Sequence, residues 1–343
     1  MLKDFMGNQV FKDKTLELEL KLFFQLRDQL KLNPWYKLTE IDQYGFEIIT
    51  TETMNSGPVI MICGLTHGNE VLGLQVINQV LSFLSQSYVQ FFKCVFLLNN
   101  YEAYRVNQRY VDFDLNRSFK HEKTKSVFFE YKRSKEIEKI ILKIRPDFIL
   151  DLHQTIEPTR SSFFILPEAS DLIYITRKLH SNWPIVCFDQ KGFSSDGYTL
   201  LEFALDEKIA CVVLEMSQNG FNLEKSQEVS NWILKSIIEN SGFLLETSTN
   251  ANQRNQNIEY FKIRQKIEKK NQQINYLKSD FINLDLVQKN QIIGYSENPI
   301  DRSQIEIKSL FDGFILFPKY GEKAEQASEL GLIAERKTFL KIE

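Results

Sequence analysis

Apolar and polar residues follow one another along this chain in two rhythms, one helical and one strand-like. Residues 14–31 (KTLELELKLFFQLRDQLK) repeat apolar positions at helical spacing and predict an early amphipathic helix. Residues 36–50 (YKLTEIDQYGFEIIT) read as a hairpin of short strands. Val59 to Cys63 is a continuous apolar run, a buried strand ending in a turn that begins at Gly64. From Glu70 to Leu84 the pattern is helical, and KCVFLLNN (93–100) is a second buried strand. Residues 135–144 look helical, and DFILDLHQT (147–155) is another strand ending in polar residues. FFILPE (163–168) and ACVVLEMS (210–217) repeat the theme.

Buried strands alternating with helices predict an α/β fold with a mixed, largely parallel sheet flanked by helices. The polar residues of interest fall at strand C-terminal ends, where open α/β sheets place their sites. At residues 247–257 (TSTNANQRNQN) the composition turns polar, which reads as a linker or long surface loop. Beyond it come short strand-like pieces: IEYFKIRQKI, FINLDLV, QIIGYS, GFILFP and LGLIAERK. The expected organisation is a catalytic domain over 1–246, a linker over 247–257 and a smaller β-rich domain over 258–343.

Composition narrows the classes of partner. The 343 residues suffice for one large core with or without a smaller second one, and 43% apolar with 25% charged residues is ordinary for a globular protein. With 42 basic against 45 acidic side chains the net charge is −3, which offers nothing to nucleic acid or an anionic membrane. The 27 phenylalanines fit a large aromatic core. No stretch of about 18 apolar residues predicts a membrane span, and the first residues do not read as a signal peptide. Cys63, Cys94, Cys187 and Cys211 each sit in an apolar run, none in a CxxC pair. Reduced core thiols in a cytoplasmic protein are expected. A homo-oligomer is left open.

Four segments carry candidate chemistry. In GLTHGNE (64–70), His67 and Glu70 are three apart on a turn that opens a helix, so both side chains reach one ion. Imidazole nitrogen and carboxylate oxygen both suit Zn²⁺. His153, at the end of the strand in DLHQT (151–155), completes a two-His, one-Glu set with a fourth position open for water. Asp151 shares its strand face and is placed to orient an imidazole. Glu215 closes the apolar run VVLEM (212–216); beside an activated water it would shuttle a proton, first from the water and then to a leaving amine. In RYVDFDLNRSF (109–119), two arginines and an amide can grip a carboxylate, and an arginine can steady an oxyanion. Taken singly, each segment has a plainer reading: a surface His–Glu pair, a hydrogen-bonded core histidine, a glutamate at an exposed strand end, and a salt-bridged loop.

Together and in this order, GLTHGNE, RYVDFDLNRSF, DLHQT and VLEMSQNG (213–220) resemble the succinylglutamate desuccinylase/aspartoacylase family, part of the wider zinc carboxypeptidase-like group. The resemblance spans roughly residues 57–220 and implies one zinc per chain, bound by His67, Glu70 and His153. It implies Glu215 as the catalytic carboxylate, Arg109 at the scissile carbonyl, and Asn116 and Arg117 on a substrate carboxylate. Tyr320, in KYGEK (319–323), is similar to a substrate-contacting tyrosine of aspartoacylase. Aspartoacylase has a further substrate-binding arginine ten residues before its catalytic glutamate; here that position is Leu205, which argues against N-acetylaspartate.

The expected activity is zinc-dependent hydrolysis of the amide bond of an N-acyl amino acid or a similar small carboxylate-bearing amide. Two alternatives stand beside it: a carboxypeptidase-like metallopeptidase, and a non-catalytic binding protein on the same scaffold.

Overall fold

The computed structural model describes residues 2–50, 57–89, 93–120, 127–179, 182–189, 197–238, 258–269, 273–278, 280–320 and 329–339. The polar stretch 247–257 lies outside them. The first helix, α1 (Leu2–Lys31), is longer than its amphipathic half, and its buried stripe of Leu16, Phe23, Leu26 and Leu30 follows helical spacing. The hairpin forms as β1 (Tyr36–Asp42) and β2 (Gly45–Thr50).

Three parallel strands carry the centre of the molecule: β3 (Val59–Gly64), β5 (Phe148–Thr155) and β8 (Ala210–Gln218). β4 (Lys93–Leu98) pairs with β3 on its other side. The chain leaves β3 through α2 (Leu72–Gln86), fills the β4 position, then returns through α3 (Tyr101–Arg105) and α4 (Phe129–Ile144) to lay β5 on the opposite flank of β3. That reversal of direction across the sheet opens a crevice at the C-terminal ends of β3 and β5. Beyond β8, the strand β6 (Phe163–Pro167) runs antiparallel to it, followed by β7 (Ile185–Phe188). Neither β7 nor the short helices α5 (Ser170–Lys178), α6 (Leu200–Asp206) and α7 (Leu223–Trp232) is announced by the apolar pattern.

Each of the five expected C-terminal pieces contains a strand, two further strands (Ile274–Leu277 and Gln304–Lys308) join them unannounced, and together they divide between two sheets. β9 (Ile258–Glu268) pairs in parallel with β7, and β15 (Glu329–Phe339), β14 (Gly313–Leu316) and β11 (Asp285–Val287) follow it, so one mixed sheet has twelve strands. β10 (Ile274–Leu277), β12 (Ile292–Glu297) and β13 (Gln304–Lys308) form a separate three-stranded sheet. A small core of Ile267, Leu277, Val287, Ile293, Ile315 and Ile333 belongs to this part alone.

Period-two alternation sorts the central strands onto two faces. Ile60, Ile62, Phe148, Leu150, Leu152, Val212, Leu214 and Met216 enter the core under α1, α2 and α7. Met61, Cys63, Ile149, Cys211 and Val213 enter the core under α4 and α6. By the same alternation Asp151, His153 and Glu215 lie on the second face. All four cysteines are buried and free.

The turn from β3 into α2 is docked tightly. The Gly68 amide donates to the Arg109 carbonyl (3.1 Å), and a Cβ at Gly68 would come within 2.2 Å of the Ala103 carbonyl carbon and 2.3 Å of the Tyr104 nitrogen. Gly68→Ala therefore forces backbone apart and is expected to cost about 1–3 kcal/mol, read from urea unfolding. Unchanged stability would show that this turn has slack.

Candidate metal centre and active site

The crevice between β3 and β5 is filled by ionisable side chains, which is costly unless each finds a partner. His67 and Glu70 come from the turn after β3, where the Glu70 amide donates to the His67 carbonyl (3.1 Å). His153 comes from the end of β5. One ligand atom from each of His67, Glu70 and His153 lies within 4.8 Å of the others, and all three residues are buried. Glu70 sits between the rings: its Oε1 is 2.6 Å from His67 Nδ1 and its Oε2 is 2.9 Å from His153 Nδ1.

The outer nitrogen of each ring meets another carboxylate. His67 Nε2 is 3.1 Å from Asp114 Oδ1, and His153 Nε2 is 2.8 Å from Asp151 Oδ2. Thr66 donates its hydroxyl to Asp151 (2.7 Å), and Asn99 donates to Thr66 (2.9 Å). Two imidazoles with Nδ1 turned inward and Nε2 fixed by a carboxylate form the arrangement that orients metal-binding histidines and raises their basicity. Two nitrogens and a carboxylate also match the donor set of a catalytic zinc. These residues fit the metal.

Electrostatics follow from that packing. Burial opposes charge on Glu70, but the two imidazoles outweigh it and hold the carboxyl well below its usual range. Burial likewise opposes charge on His153, yet Asp151 and Glu70 hold its pKa well above the usual value. Asp114, against burial, is held down by His67, Arg109 and Arg117. Glu215 is the exception. It lies opposite His153 in the parallel register of β5 and β8, is buried rather than at an exposed strand end, and its Oε2 has no hydrogen-bond partner. Burial pushes its pKa up to about 8, with His153 and Arg109 pulling against Glu70 and Asp151.

Arg109 reaches the centre from the loop after α3. Its Nε is 3.1 Å from Asp114 Oδ2, and its guanidinium is 3.4 Å from Glu70 Oε1. Asn116 and Arg117 occupy a single 3-10 turn, Leu115–Arg117, whose start is capped by Asp114 accepting from the Asn116 amide (2.9 Å). Asn116 Oδ1 accepts from the Leu200 amide (3.0 Å), tying this turn to α6. His67, Glu70, Arg109, Asn116, Arg117, His153 and Glu215 all line one cavity of about 650 Å³. Tyr320 does not line it. Its hydroxyl donates to the Phe281 carbonyl (2.8 Å), and its ring packs on the small C-terminal core. Its neighbour Lys319 stands at the cavity rim instead.

Five supporting residues escape a reading of the sequence. Asp114 links His67 to Arg109, and only its place between two arginines hints at that role. Gln154 accepts from the Leu72 amide (2.8 Å) at the uncapped start of α2, and donates to the Gln218 and Gly220 carbonyls (2.8 and 3.0 Å). Thr66 and Asn99 were described above. Beyond them, the buried carboxylate of Glu130, in the first turn of α4, accepts from the amides of Val111, Asp112 and Phe113 (2.6, 3.0 and 3.1 Å) and from the Asn100 side chain (3.2 Å). It folds the loop between Arg109 and Asn116 about a single charge.

Comparison with known proteins agrees with this geometry. Residues 56–224 match the succinylglutamate desuccinylase/aspartoacylase catalytic domain. The chain is 30% identical over 141 residues to an N-acyl-aromatic-L-amino acid amidohydrolase (carboxylate-forming) of Xenopus tropicalis, covering 38% of this chain and 44% of that one. It is 37% identical over 102 residues to a probable aspartoacylase of Trichodesmium erythraeum, covering 28% and 35%. The matched segment thus spans less than half the length of these curated relatives. Among solved structures, succinylglutamate desuccinylase from Chromobacterium violaceum superposes with a TM-score of 0.64 at 15% identity, covering 91% of this chain and 97% of the other. Murine aminoacylase 3 gives 0.58 at 15% identity, covering 84% and 99%. At such identities these two establish the fold.

Asp151 and Glu70 favour the protonated form of His153, and a cation binding its ring nitrogen must displace that proton, so metal uptake is expected to release protons. Apparent affinity should rise with pH up to the raised pKa of His153 and fall as pH drops below it. Calorimetric titration in buffers of different ionisation enthalpy reads this directly. Asp151→Asn should weaken zinc binding about 10- to 100-fold; equal affinity would deny that carboxylate its orienting role.

Proposed function

Since the chain belongs to the succinylglutamate desuccinylase/aspartoacylase family through residues 56–224, we propose that it is a zinc-dependent amidohydrolase acting on N-acyl amino acids. The observation that carries this reading is the meeting of His67, Glu70 and His153 beside a buried glutamate, one of whose oxygens has no hydrogen-bond partner among the described residues.

In this reading His67, Glu70 and His153 hold one zinc ion. The ion would supply Lewis acidity and bring the pKa of a water towards about 7. Glu215 takes the proton of the attacking water and then gives it to the departing amine. Its burial suits that exchange, because burial raises the carboxyl's pKa and so favours holding the proton until the amine departs. Arg109, anchored by Asp114, steadies the negative charge that grows on the scissile carbonyl oxygen. Asn116 and Arg117 take the substrate carboxylate. A carboxyl-terminal peptide bond would satisfy the same groups, so a carboxypeptidase-like activity is decided by assay rather than by the site.

Among the described residues no helix is long and apolar enough to cross a membrane. The cytoplasmic setting proposed here rests on the four free buried thiols.

Glu215→Gln is expected to lower kcat at least about 100-fold while zinc content, measured by atomic absorption, stays near one per chain. Full turnover in that variant would remove Glu215 from the chemistry. Arg117→Ala should raise KM for N-acyl amino acids far more than it lowers kcat, and a pure kcat effect would contradict its carboxylate-binding role. Assay of the zinc-loaded protein on N-acyl amino acids beside dipeptides separates amidohydrolase from peptidase: amino acid released only from dipeptides would favour the latter.

A further inference from the structure

The cavity extends well past the groups that the chemistry uses. From Glu215 its floor continues across the sheet. Val213 sits two residues before Glu215 on the same face of β8, and Ile165 of β6 lies directly opposite Val213. Phe188 ends β7, Ile263 follows on β9, and Leu332 on β15. These five side chains come from five neighbouring strands, a span of about 19 Å at about 4.8 Å per strand spacing. Phe317 adds to the same wall. Charged groups stand at the rim and are engaged there: Asp189 with Lys262 (2.8 Å), Lys319 with Glu329 (3.7 Å) and Arg264 with Glu335 (3.8 Å). Lys266 is exposed at the outer edge. A volume of about 650 Å³ lies mid-range for sites that enclose drug-sized ligands and exceeds what a short acyl group on a small amino acid would fill.

We infer that the preferred substrates are N-acyl amino acids carrying an extended hydrocarbon group, laid along the apolar floor formed by Val213, Ile165, Phe188, Ile263 and Leu332. The inference rests on the amidohydrolase reading and narrows its substrate class. The carboxylate is gripped at one end of the cavity by Asn116 and Arg117, the amide bond lies at the metal centre, and the hydrocarbon leaves water along the sheet. Either half of the substrate can supply that hydrocarbon: a long acyl chain, or a large apolar amino-acid side chain.

Three substrate series on the zinc-loaded full chain test it. One lengthens the acyl group from N-acetyl through N-hexanoyl to N-decanoyl glycine. A second keeps N-acetyl and enlarges the side chain from alanine through leucine to phenylalanine and tryptophan. A third carries short dicarboxylic acyl groups such as succinyl. Along the productive series kcat/KM should rise about three- to fourfold per buried methylene until the floor is filled, and the series that rises identifies the half that lies there. Ile263→Ala should flatten that rise, and Ile263→Asp should reverse it. A flat response in both apolar series, or best turnover of the dicarboxylic series, overturns the inference and leaves the amidohydrolase reading standing. No turnover in any series sinks the reading itself. Calorimetric titration of Glu215→Gln with N-decanoylglycine, N-acetyltryptophan and N-acetylglycine then still decides the floor. At least tenfold tighter binding of the decanoyl compound, or of N-acetyltryptophan, than of N-acetylglycine supports it, and equal affinity of all three refutes it.

Discussion

A single carboxylate shared by two imidazoles governs this structure. Glu70 is buried, and an isolated charge there would be prohibitive. His67 on one oxygen and His153 on the other remove that cost, and the Gln154 amide adds a hydrogen bond (3.0 Å). The same logic propagates outward: each imidazole needs a second carboxylate, Asp114 or Asp151, and each of those needs donors, Arg109 and Thr66. A turn, three strand ends and a loop are therefore held in mutual register by one chain of charges. Partial satisfaction of such a network is worse than none, which is why the backbone around it is so closely fitted at Gly68.

Glu215 stands apart from that economy of pairing. It is within the same crevice and buried, yet one of its oxygens has no partner. The other carboxylates of the centre, Glu70, Asp114 and Asp151, each meet an imidazole or a donor. A buried carboxylate left partly unsatisfied while its fellow carboxylates are served is the group around which the proposed chemistry is arranged.

Much of this was legible in the amino-acid order, and the failures have physical causes. β3, β4, β5 and β8 are continuous apolar runs because both faces of a central parallel sheet are covered, so they stand out from the sequence. His67 and Glu70 announce themselves by spacing, and His153 and Glu215 by closing apolar runs. β7 is only four residues long and carries too little pattern to register. Glu130 is illegible because its partners are backbone amides, which every residue has. Gln154 looks like any polar residue at a strand end until α2 is seen to start without a side-chain cap of its own. Tyr320 illustrates the reverse case. A similar short motif brings the right residue type near the rim, but the local path of the chain after Pro318 commits its hydroxyl to a carbonyl. Five C-terminal strands read correctly as strands while the short β10 and β13 did not, and strand order within a sheet is a long-range property that no local pattern encodes.

The union of β9 with β7 separates two kinds of information along the gene product. His67, Glu70, His153 and Glu215 all fall before residue 216, whereas two side chains of the same cavity, Ile263 and Leu332, come from beyond residue 257. Part of the cavity wall is thus written apart from the metal-ligating residues, and the two stretches meet through the pairing of β7 with β9, through Asn283 against the Glu157 and Pro158 carbonyls and through the Arg160–Asp285 ion pair. Substitution in the later stretch can reshape that wall without touching His67, Glu70, His153 or Glu215.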